Sequence, residues 1–236
     1  MWKVKLIGNT AGMQILAEQA SVGFFKLVTE NSDIYLELAG FQKDCDVVDI
    51  QDIADETVRF LNVSIKLASC LDPELKTNGF YWIDEYGQPN LKFFGAGSFS
   101  APLHLCVYDS NAKVPECWPD IWRNSEQAQD VFRIFENKHQ DWFSLFKIYE
   151  TIRDDPAHKD ARGPVNGVKH IKMWGGAENN ESFFQTANWH RHAAYGRKKG
   201  TPNKRPDKPM GESEAFNYIG KLIVNWLNWK GTLFNE

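Results

Sequence analysis

The chain predicts an α+β protein: a mixed sheet-and-helix region over residues 1–112, followed by an all-α region over residues 113–236. Three observations carry that expectation. Two-residue alternation and turn clusters mark the first hundred or so residues, and apolar spacing of three to four residues marks most of the remainder. Between them, Asp109 to Asp120 is irregular and punctuated by Pro115 and Pro119, which places the boundary there.

Taken in order, Trp2, Val4 and Leu6 alternate with Lys3 and Lys5, the pattern of a half-buried strand. Gly8-Asn9-Thr10 supplies a turn and a helix cap, and Met13, Leu16, Ala17 and Ala20 mark a short amphipathic helix. Phe24 to Thr29 and Ile34 to Ala39 flank the turn chemistry of Glu30-Asn31-Ser32-Asp33, which predicts a hairpin. Asp46 caps a long helix from about Val47 to Cys70, with Ile50, Ile53, Ala54, Val58, Leu61, Ile65 and Ala68 at helical spacing. A second hairpin joins Phe80 to Asp84 with Leu91 to Gly95, and Leu103 to Tyr108 extends the sheet.

In the second region Val131, Ile134 and Phe135 form a short helical stripe, and Trp142, Leu145, Phe146, Tyr149 and Ile152 a stronger one. His158 to Lys172 reads as polar and irregular, with Gly163-Pro164 and Gly167. A short helix is expected from Glu181 to about Trp189, capped by Asn179 or Asn180, with Phe183, Phe184 and Trp189 anchoring it in the core. The last helix spans about Glu212 to Trp229, buries Ala215, Phe216, Ile219, Leu222, Ile223, Trp226 and Leu227, and ends at Gly231.

Composition narrows the function classes. The aromatic share is 14 %, including nine Trp, so the core should be rich in large rings. Cys45, Cys70, Cys106 and Cys117 form no close pair, which suits free thiols in a cytoplasmic protein rather than a zinc knuckle or a disulfide framework. The start of the chain alternates like a strand and lacks a signal peptide's apolar centre, and no apolar run is long enough to span a bilayer. GxxxxGK[ST], GxGxxG and GxSxG motifs are absent, so no cofactor is expected. Gly95-Ala96-Gly97-Ser98 reads as a strand-end turn, and Asp154-Asp155 as a capping, solvated acidic pair.

Charge is placed unevenly. The whole chain carries −4, yet from His190 to Lys208 seven basic residues face Asp207 alone, a net +6 that leaves −10 elsewhere. This basic loop, residues 190–210, is the candidate binding element. Asn188, His190, Arg197, Lys198, Lys199, Lys204 and Arg205 are its binding residues, and RNA, DNA or an acidic protein surface its partner. Residues 190, 191 and 192 would point about a hundred degrees apart on a helix, so His190 and His192 pair as metal ligands only in an extended chain. With no third ligand in view, no metal site is expected. Should the Trp142 and Phe183 helices pack together, Glu150, Arg191 and His192 would meet as carboxylate, guanidinium and imidazole. That trio can cleave RNA without metal, or serve as an ion-pair network.

Phe184-x-x-Ala187-Asn188, Arg191-His192, Pro206-x-x-Pro209-Met210, Glu214-Ala215 and Trp226-Leu227 resemble the C-terminal signature of a widespread bacterial family of hypothetical proteins. Trp142-x-x-Leu145, Tyr149-Glu150-x-Ile152 and the start, Trp2 to Ala17, fit it too, and the resemblance implies no particular activity. A looser similarity is to HEPN-type helical ribonuclease domains of bacterial defence and toxin systems, which carry Arg and His four to six residues apart. Arg153 and His158 have that spacing, with Pro156 between them, whereas Arg191 and His192 do not. The oligomeric state is not legible.

Overall fold

The computed structural model describes residues 1–18, 21–22, 25–38, 40–41, 45–93, 113–137, 141–158, 165–194 and 206–233. The protein is α+β, with an antiparallel sheet early in the chain and helices dominating later. It divides into two compact units, Met1–Arg123 and Asn124–Glu236. The expected division near residue 112 thus lies eleven residues before the observed one.

In the first unit the strands are β1 (Trp2–Ile7), β2 (Ser21–Val22), β3 (Phe25–Glu30), β4 (Asp33–Leu38), β5 (Lys76–Ile83) and β6 (Pro89–Phe93). They pair in the order β2-β3-β4-β1-β5-β6. Register follows the side-chain pattern. Trp2 faces Leu38, Val4 faces both Leu36 and Phe80, and Leu6 faces Ile34, so one sheet face is apolar. On the alternate positions Lys3 and Lys26 both pair with Glu37, and Lys5 with Asp33, as opposite charges across neighbouring strands. The β3–β4 turn places Asn31 and Ser32 at φ 50° and 72°, the left-handed pair that a two-residue hairpin needs.

Two longer helices follow their sequence cues. In α1 (Thr10–Ala17) the N-cap Asn9 accepts from Gly12 N. In α2 (Val47–Ser69) Asp46 accepts from Val48 N, and Cys70 closes the end at φ 60°. Ile50, Ala54, Val58, Leu61 and Ile65 are buried, and α2 packs on β5. α3 (Trp118–Asn124) begins inside the stretch expected to be irregular, because Pro119 fits a first helical turn. Its Trp122 ring lies 5.2 Å from Phe60 and 6.1 Å from Phe25, centroid to centroid. Leu103 to Tyr108 and Gly95 to Ser98 lie outside the described residues.

The second unit contains α4 (Glu126–Glu136), α5 (Trp142–Arg153), α6 (Val165–Gly175), α7 (Ala177–Ala194) and α8 (Glu212–Leu233). α5 packs against all four others and buries Trp142, Leu145, Phe146, Ile148, Tyr149 and Ile152. Three sequence expectations are corrected here. Residues 165–172 are helical rather than irregular: Gly167 lets α6 lie so close to α5 that a Cβ there would overlap the Arg153 carbonyl. α7 extends beyond 181–189 at both ends. Asn179 and Asn180 sit inside it, and buried Asn180 accepts hydrogen bonds from Tyr149 and Tyr218. α8 continues through Gly231, which is buried, to Leu233. Of the anticipated α8 core residues all are buried except Phe216, which is half-buried and stacked 4.9 Å from Phe135.

Candidate functional site

Of the residues singled out by the sequence, His190 and Arg191 make contacts across the seam between α5 and α7. The two helices run antiparallel there. Trp142, at the start of α5, stacks on His190 near the end of α7, with ring centroids 4.8 Å apart and planes 6° apart. Further along α5, Phe146 and Tyr149 meet Phe183 and Phe184, and the Tyr149 hydroxyl donates to Asn180 Oδ1 at 3.0 Å. Burial pushes the Tyr149 and Tyr218 hydroxyls upward in pKa, so both remain protonated donors around Asn180.

These contacts explain why α7 carries on through Ala194, and why the basic loop begins later than residue 190. His190 and Arg191 have partners on α5 that a helical backbone lets them reach. The Arg191 guanidinium lies 4.0 Å from the Phe146 ring centroid and 5.8 Å from that of Phe143. It forms no ion pair with a described residue, whereas Arg59, Arg133 and Arg153 each have a carboxylate partner. Its charge is held against aromatic rings, with no described carboxylate in ion-pair contact.

Glu150 is ion-paired with Arg153 at 3.7 Å, and Arg153 in turn makes a two-pronged contact with Asp154 at 2.6 and 2.7 Å. On α5, Glu150 stands one turn, about 6 Å, beyond the Phe146 position that Arg191 covers. The described contacts therefore join Glu150 to Arg153 and Arg191 to Phe146. His192 lies on the helical backbone of α7, about 200° around the axis from His190. The His192 side chain, and the whole of Arg197, Lys198, Lys199, Lys204 and Arg205, lie outside the described residues. Asn188 is half-buried on α7. Phe183 is fully buried as expected, but Phe184 is 37 % exposed and Trp189 half-buried, so the seam's apolar edge reaches solvent.

The basic run returns to the helix it left. Lys208 O accepts from the Ser182 hydroxyl at 3.1 Å, and Met210 N donates to the buried Thr186 Oγ1 at 3.0 Å. Met210 itself is buried. The Pro206-x-x-Pro209-Met210 sequence is thus an anchor, fixing the far end of the basic segment two to three turns back along α7.

A second polar cluster was not foreseen. Asp155, expected to be solvated, is 3 % exposed; its Oδ2 accepts from Trp226 Nε1 at 2.7 Å and from Lys230 Nζ at 2.8 Å. Beside it His158 donates from Nε2 to the Ile152 carbonyl at 2.8 Å, because a carbonyl can only accept. A neutral His158 then carries its lone pair on Nδ1 and accepts from His170 Nδ1 at 2.9 Å, which fixes both tautomers. Trp229 stacks on His158 at 4.6 Å and Trp174 on His170 at 5.3 Å. Burial is the leading cause that pushes both imidazoles below their ordinary pKa. The Trp226 and Lys230 spacing of four residues was the one sequence signal for a shared acceptor. Among the described residues, no three His, Cys, Asp or Glu side chains gather as metal ligands.

No family model matches the chain, and neither a curated protein nor a solved structure matches it.

Proposed function

We propose that the helical unit is a polyanion-binding module that engages nucleic acid through Arg191, His192 and the basic run, in a binding or regulatory role. One observation carries this reading. A net +6 between His190 and Lys208 starts at an Arg191 guanidinium without a carboxylate partner among the described residues and is tied back to α7 at Lys208 and Met210. Clustered positive charge on a body that is otherwise −10 attracts phosphates locally while sparing the rest of the surface. A cytoplasmic setting agrees with this, since nucleic acid is at hand and the thiols of Cys45, Cys70 and Cys117 are free. No described helix is long and apolar enough to cross a membrane.

Fluorescence anisotropy with labelled RNA and DNA at low salt tests the proposal. Binding is expected, with displacement by unlabelled nucleic acid and little displacement by polyglutamate. Displacement by polyglutamate alone would instead favour an acidic protein partner. The same mixtures, incubated in EDTA and run on a denaturing gel, address metal-independent cleavage by Glu150, Arg191 and His192 as the competing activity. The binding reading expects intact RNA. Cleavage lost in His192→Ala would replace it with a nuclease.

A further inference from the structure

We infer that the α5–α7 seam is a base-stacking site, formed by Phe143, Phe184, Asn188 and Arg191, that selects single-stranded over duplex nucleic acid. This rests on the nucleic-acid reading above and adds a substrate class to it. On α7, residues 184, 188 and 191 are four and seven residues apart and so share one face. Across the seam, Arg191 reaches Phe143 and Phe146, and Phe184 reaches Phe146 and Tyr149. The four residues therefore line one edge of the α5–α7 pair.

Solvent exposure separates this edge from ordinary core. Phe143 is 54 % exposed and Phe184 is 37 % exposed, although Phe146 between them is 3 % exposed. Two phenyl rings stand in water on either side of a guanidinium held against aromatic rings, with a carboxamide one turn away. Unpaired bases use these groups: ring faces and guanidinium planes stack on them, and an amide meets their hydrogen-bonding edges. A duplex keeps its base faces inside and presents phosphates and groove edges, which the phenyl rings cannot use.

Charge supports the same occupant: α7 runs from this end of the seam into the basic segment, whose net +6 between His190 and Lys208 attracts the phosphates of a bound strand.

The test compares a fluorescein-labelled oligo-uridine, an oligo-thymidine and a duplex of equal length, at one salt concentration, with wild type, Phe143→Ala, Phe184→Ala and Phe143→Tyr. Wild type is expected to prefer the single strands. Each alanine variant should weaken single-strand binding roughly five- to hundredfold, the usual scale for one stacked base, while leaving duplex binding unchanged. Phe143→Tyr, which keeps a ring face, should retain affinity, and circular dichroism should be unchanged throughout. Wild type that binds nucleic acid equally in both forms, or alanine variants that bind the single strands as well as wild type, would overturn the stacking site and leave the parent reading intact. Wild type that binds none of the three probes would overturn both.

Discussion

Replacing Asp155 with alanine should damage the helical unit more than any surface change. The carboxylate is 3 % exposed and Lys230 is 6 % exposed, and Asp155 Oδ2 receives both the ammonium at 2.8 Å and the Trp226 indole at 2.7 Å. Its other oxygen accepts from Ala157 N at 2.9 Å, shaping the turn that carries His158. Removing one partner of a buried pair strands the other charge and costs about 3–5 kcal/mol, and an orphaned indole N–H adds about 1–3 kcal/mol. The two losses share an atom and do not add fully, so about 4–5 kcal/mol is expected. Against a total stability of about 5–15 kcal/mol, that is a large fraction.

Urea unfolding followed by tryptophan fluorescence reads this directly, since Trp226 and Trp229 flank the cluster. Adding Lys230→Met to Asp155→Ala removes the stranded charge and should recover about 2 kcal/mol or more. A loss below about 1 kcal/mol in Asp155→Ala, or strictly additive single and double variants, would refute the buried-pair reasoning.

Gly167→Ala forces a methyl group into the Arg153 carbonyl, and backbone cannot yield as a side-chain tip can. About 3 kcal/mol or more should be lost although alanine is the better helix former, and a stability gain in urea unfolding would show that α6 does not pack there. The His158–His170 pair makes the unit acid-sensitive. Both pKa values lie below the ordinary value of about 6.5, so the unfolded chain binds the extra protons. Their contribution is complete above about pH 6.5 and is lost as pH falls through the folded-state values. The urea midpoint should therefore drop between about pH 7 and pH 5, and drop less in His170→Gln. Asp141 and Asp154, held below the ordinary carboxylate range by the Ser144 backbone N–H and by Arg153, act in the more acidic window below about pH 4. An unchanged slope between about pH 7 and pH 5 in His170→Gln would remove the histidines as its source.

Elements set by local chemistry were legible in the sequence. The β3–β4 hairpin needed only Asn31 and Ser32 between alternating strands, and α2 only Asp46 and an apolar stripe. What escaped depends on partners distant in sequence. Asp155 is buried because Trp226 and Lys230 lie 71 and 75 residues further on, and no local pattern separates that carboxylate from a solvated one. α6 was hidden because Gly167 lowers helix propensity for a reason visible only against Arg153. Asn179-Asn180 resembled a cap because those side chains favour caps, yet the hydroxyls of Tyr149 and Tyr218 give Asn180 a place inside the helix. At the candidate site the charge asymmetry was plain from composition. The seating of Arg191 on Phe146 was not, because it required the α5–α7 register. Nor was the exposure of Phe184.

The most direct test of polyanion binding is the salt dependence of nucleic-acid affinity in wild type and in a variant with Lys198, Lys199, Lys204 and Arg205 all changed to glutamine. Each phosphate neutralised contributes about 0.7 to the log–log slope on a single strand and about 0.9 on duplex DNA. A steep wild-type slope is expected, and a variant that binds more weakly, with a slope shallower by up to about 3 units on the single strand. Equal slopes in the two proteins, or no retention of RNA or DNA by wild type at low salt, would contradict polyanion binding.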